Sequence, residues 1–104
     1  MKNIIIILSF VITLQVLNIQ AQENKESVSN IVSTLKQKVL LDDDQTTSIK
    51  KILTELISKS KNAEDKTPLM QEAQRKVESY LDKKQKMKYD IIKNEWWKQV
   101  SSIL

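Results

Sequence analysis

Apolar residues along this chain recur at helical spacing, in four runs set apart by polar stretches. Val28, Ile31, Val32, Leu35 and Val39 form the first run. They cover an arc of about 100°, the width of one buried helix face, and predict a helix from about Lys25 to Leu40. Ile49, Ile52, Leu53, Leu56 and Ile57 form the second and spread over about 140°, which suggests contact with two surfaces. The polar stretch KSKNAEDKTP ends in the sole proline, so Thr67 as N-cap and Pro68 at the first helical position predict the start of a third helix. Leu69, Met70, Ala73, Val77 and Tyr80 share one face of it. Tyr89, Ile92, Trp96, Val100 and Ile103 make the inward stripe of a fourth.

The second and fourth runs open with the same phrase. LDDDQ, Leu41 to Gln45, and LDKKQ, Leu81 to Gln85, each place Asp at a natural N-cap and Gln three residues later. That spacing is a capping box, in which side chain and backbone satisfy each other's free groups. Asp43 and Asp44 also put negative charge where the helix dipole favours it. Capping alone accounts for Asp and Gln but not for the two leucines. A Leu before an N-cap often packs on the residue four into the helix, and here those residues are Thr46 and Lys86. Leu41 and Leu81 are therefore expected to reach another helix, making the repeated phrase a tertiary device. Overlaying the copies sets Ile49 on Tyr89, Ile52 on Ile92 and Leu56 on Trp96, so the chain reads as two helical hairpins. The competing reading joins the third and fourth helices into one, because YLDKKQKMKY carries no strong breaker.

The first residues change the setting. Lys2 precedes an apolar run from Ile4 to Leu17 of about 14 residues, too short for a comfortable bilayer span and right for a signal peptide. Ala21 suits the cleavage position, which predicts a leader over 1–21 and one all-helical domain over 22–104; an uncleaved anchor is the alternative. The chain has 17 basic and 13 acidic residues, a mild excess unlike the dense basic stripe of a nucleic-acid binder. Export points away from nucleic acid as well. Without Cys, an exported domain this small must rest on helix packing, aided by a partner subunit. The absence of Gly argues against phosphate-cradling loops and tight left-handed turns. The absence of His removes the usual general base and the commonest metal ligand. Together these weigh against an enzyme, and no cofactor is expected. The Asp42–Asp44 cluster is assigned to capping rather than to a cation, which the helix N-terminus opposes.

Leu-x-x-x-Gln at a helix start, twice in a small exported all-α protein, resembles the LTxxQ motif of the Spy/CpxP-like periplasmic proteins. LLDDDQTTSIKKILTEL is similar to the first copy and YLDKKQKMKYDII to the second, with Leu, cap and Gln in register; Asp42 and Asp82 stand where the family has Thr. The resemblance runs from about Leu40 to Val100. It implies a cradle of helical hairpins, built as an antiparallel homodimer and exposed to envelope stress in the periplasm. It also implies ATP-independent chaperoning of unfolded or partly folded clients, or modulation of a sensor kinase through its periplasmic domain. Metal sensing, known in related folds, is not expected without His or Cys.

Chaperoning needs an amphiphilic surface rather than a catalytic group. Met87 and Ile91 lie nearly opposite Trp96 on the fourth helix, flanked by Lys84, Lys88 and Lys98. They are candidates for client contact, dimer contact or an ordinary solvated face. Trp96 falls on the core stripe. Trp97 sits about 100° further round, placed to cover the hairpin, meet a second subunit or touch a membrane interface; membrane contact ranks low because every inward arc is used. Lys50, Lys51, Arg75, Lys76, Lys83, Lys84, Lys86 and Lys88 supply most of the positive surface.

Overall fold

A computed structural model describes residues 26–104. Among them the chain is all-helical: α1 over residues 26–39, α2 over Asp43–Ser60, α3 over Thr67–Ser79 and α4 over Lys83–Ser102. The expected leader and Lys25 lie outside the described residues. No helix within them is long and apolar enough to cross a membrane. The break at residues 80–82 separates α3 from α4, so the single-helix reading of that region is set aside.

Three-residue turns at 40–42 and 80–82 join α1 to α2 and α3 to α4. The linker at 61–66 returns the chain so that α2 packs on α3. The Trp96 indole N–H donates to the Ile31 carbonyl at 2.8 Å and ties α4 to α1. Both tight turns therefore lie at the same end of the bundle. One apolar cluster runs through all four helices, from Val32, Leu35 and Val39 through Ile49, Leu53 and Leu56 to Val77, Tyr89, Trp96 and Val100. Leu41 and Leu81 are buried in that cluster, in line with the polar residues at Thr46 and Lys86 that give them no local partner.

Several local expectations need correction. The third helix is not capped by Thr67: Lys66 holds the N-cap position without a side-chain bond, and Asp65 Oδ1 accepts from the Thr67 N–H at 3.0 Å. Tyr80 is not on the inward stripe. The helix ends at Ser79, and Tyr80 stands exposed in the turn, its N–H bonded to the Val77 carbonyl at 3.1 Å. A left-handed turn does occur despite the absence of Gly. Leu40 has φ 62, and the Leu41 N–H reaches back to the Lys36 carbonyl at 3.2 Å, the six-to-one closure of a Schellman turn.

Candidate functional site

The repeated phrase closes at one point between the two hairpins. In each copy Asp accepts from the backbone N–H of Gln, at 2.7 Å for Asp42 and 2.8 Å for Asp82. In return each Gln Oε1 accepts from the N–H of its own Asp, at 3.0 and 2.9 Å. Both capping boxes are thus complete, and both glutamines still have an amide to spend. Gln45 Nε2 donates to Gln85 Oε1 at 2.8 Å, and Gln85 Nε2 donates to Gln45 Oε1 at 2.9 Å. The second N–H of each amide crosses to the other hairpin's turn: Gln45 to the Tyr80 carbonyl at 2.6 Å, Gln85 to the Leu40 carbonyl at 3.0 Å.

The pattern maps onto itself under a shift of 40 residues, the separation of the two glutamines. Each amide uses two donors and two acceptor lone pairs, the full capacity of the group. Only one orientation of each amide satisfies it, because the Asp42 and Asp82 N–H groups need acceptors. Gln85 is only 8% exposed, so a missing partner here would leave polar atoms stranded. The node is neutral, and it fixes the angle at which the hairpins meet. It thereby determines which side of α4 faces out.

Around the node the charges differ between the copies. The first turn of α2 is acidic, and Asp43 pairs with Lys36 at 3.0 Å across exposed surface. Asp42 is committed to its cap. The start of α4 carries Lys83, Lys84 and Lys86, cations at the positive end of the helix dipole, which is mildly unfavourable. All eight basic residues singled out above are exposed; Lys76 is paired with Glu72 at 3.2 Å. Lys51 and Lys76 border a surface groove of about 400 Å³ between α2 and α3, which Tyr80 also lines.

The outer side of α4 carries the other candidates. Met87 is 67% and Ile91 84% exposed, one turn apart, with Lys84, Lys88 and Lys98 exposed around them. Among the described residues none of these three lysines is in a salt bridge. The opposite side of the helix is filled by Gln85, Tyr89, Trp96 and Val100.

Trp97 does not belong to this surface. It is 6% exposed, its ring edge-on to Trp96 with centroids 4.8 Å apart. Its indole N–H donates to the Tyr89 hydroxyl at 2.6 Å. Burial pushes the Tyr89 phenol above its ordinary pKa, and the Trp97 bond opposes part of that shift. Trp97 is therefore mostly packed, and its remaining edge lines a surface groove of about 340 Å³ between α3 and α4 with Met70, Gln74 and Glu78. The Gln–Gln pair, the cross-turn carbonyls and the left-handed Leu40 were not foreseen. The identical spacing of the two copies was the one signal that pointed to the node.

Compared with known proteins, the chain matches no family model, no curated protein and no solved structure.

Proposed function

We propose that this protein is an exported chaperone of the Spy/CpxP-like kind, acting without nucleotide as a homodimer. In this reading it holds unfolded or partly folded envelope proteins on the outer side of α4. The observation that carries it is the exposure of Met87 and Ile91 among three unpaired lysines, on a helix whose inner side is already fully packed. Covering one such side chain is worth about 1.5–3 kcal/mol before the cost of ordering the client. Two of them give weak, reversible retention, which suits a holding activity. The lysines steer acidic clients and lose that effect as salt screens them.

The test is light scattering of two unrelated, chemically denatured proteins, one acidic, at near-equimolar ratio. Suppression of both, weakened by salt for the acidic one, is expected. A Met87→Ser/Ile91→Ser variant should lose most of it with helix content and melting temperature unchanged, because both side chains already face water. A docking module for one envelope partner, such as the periplasmic domain of a sensor kinase, is the second reading. The small size of the patch favours it. It gains if generic clients aggregate undisturbed while the protein remains folded.

A further inference from the structure

We infer that the outer side of α4 is a docking face for an anionic membrane surface, its lysines meeting the phosphate headgroups and Met87 and Ile91 dipping among the lipids. The inference does not rest on the client reading, although both use the same side of the helix. Charge is the first observation. Four of the 17 basic residues, Lys83, Lys84, Lys86 and Lys88, fall in one six-residue stretch; the other 13 equal the 13 acidic residues, so these four carry the whole formal net charge of +4. An excess that is mild in the composition is thus gathered at the start of one helix. All four lysines are exposed, and among the described residues none is in a salt bridge.

The fold gains nothing from this placement. α2 opens with the same capping box and sets Asp43, Asp44, Thr46 and Ser48 at the corresponding positions. Acids there agree with the helix dipole, whereas lysines at the start of α4 oppose it. A cluster held against the local electrostatics, and answered by no acid of the chain itself, fits an anionic partner.

Geometry selects the kind of partner. At 100° per residue, Lys83, Lys84, Met87, Lys88, Ile91 and Lys98 lie within an arc of about 140°. Glu95 is the single acid on that arc. Tyr89, Trp96 and Val100 turn the other way, into the core. The arc runs about 22 Å along the helix, with the two exposed apolar side chains between lysines at either end. A helix lying in the plane of a lipid interface has this pattern, apolar groups shallowly inserted and long basic side chains reaching the headgroups. A polynucleotide would offer phosphates to the lysines but nothing to Met87 and Ile91. The rings that could stack on its bases, Trp96 and Trp97, are buried. The inward arcs of the helices are taken by packing, and the outward arc of α4 is the one a membrane can use.

The test is co-sedimentation of the protein, purified after expression of the full chain, with vesicles of phosphatidylcholine alone or of equal parts phosphatidylcholine and phosphatidylglycerol. Binding to the phosphatidylglycerol vesicles, lost as salt is raised, is expected, with little binding to phosphatidylcholine. Lys83→Gln/Lys84→Gln should weaken it about 30-fold, and Met87→Ser/Ile91→Ser about tenfold. Lys50→Gln/Lys51→Gln removes the same charge from α2 and should stay within about threefold of the parent. Lys83→Glu/Lys84→Glu should abolish binding while raising the melting temperature by about 4 °C, which separates loss of the surface from loss of the fold. No binding to phosphatidylglycerol, equal binding to both kinds of vesicle, or equal losses from the α2 and α4 lysine pairs overturns the membrane face. So does a result in which the α4 lysines are needed to hold an acidic unfolded protein while no vesicle is bound, which gives the patch to protein clients. If vesicles are bound and clients are not, the client reading fails and the membrane face stands.

Discussion

Trp96→Ala is expected to destabilise the protein by about 3–5 kcal/mol, the range for truncating a buried Trp. A domain of this size holds roughly 4–12 kcal/mol in total, so the variant should be largely or wholly unfolded at 37 °C. Three losses add up at this position. The indole is buried between α1 and α4, and Ala leaves a cavity that rigid neighbours cannot fully close. The edge-on contact with Trp97 disappears. The tie from the indole N–H to the Ile31 carbonyl is also lost. That last part is the smallest, because a carbonyl inside a helix keeps its helical partner. Trp96→Phe separates the contributions: it retains most of the packing and should cost only about 1–2 kcal/mol. Urea unfolding followed by far-ultraviolet circular dichroism measures both. A Trp96→Ala cost below about 1.5 kcal/mol would mean that α4 does not dock on α1 as described.

Gln85→Ala should cost about 2–4 kcal/mol, large for a residue that contributes little apolar area. The substitution removes the acceptor of the Asp82 N–H and the donor to the Leu40 carbonyl. It also removes both bonds to Gln45. Several polar groups at a mostly buried site then lose partners together, and unmet groups cost more than the bonds were worth. Gln45→Ala breaks the mirror-image set but should cost less, because Gln45 is half-buried and water can replace it. Asp42→Ala removes one cap bond and should cost about 1 kcal/mol. An order in which Asp42→Ala exceeds Gln85→Ala would reduce the repeated phrase to two independent caps.

What the sequence makes legible here is what depends on near neighbours. The helix faces follow from 3.6-residue spacing, and both capping boxes involve residues only three apart. The burial of Leu41 and Leu81 was also readable, since Thr46 and Lys86 leave them no local partner. The Gln–Gln pair lies on a different level, because each amide spends its remaining bonds across the interface between hairpins. Spacing hinted that the copies act together but did not say that they touch. Trp97 misleads by the same logic. By angle it sits at the edge of a stripe, yet α3 commits only Ala73 and Val77 fully to the core. Wide aromatic rings from α4 fill the remaining volume. Leu40 was illegible for a further reason: a left-handed turn announces itself by Gly, and this chain has none. The candidate surface was legible only as Met87 and Ile91, because their exposure follows from the helix phase.

The measurement that tests the account most directly is a double-mutant cycle at Gln45 and Gln85. Unfolding free energies of the parent, Gln45→Ala, Gln85→Ala and the double variant isolate the interaction between the two side chains. If the repeated phrase is a single node joining the hairpins, the double variant should be about 1–2 kcal/mol more stable than the sum of the singles predicts, since each single substitution already breaks the shared bonds. Additive costs, within about 0.5 kcal/mol, would mean that the two glutamines act separately and that the hairpins are held together by the apolar core alone.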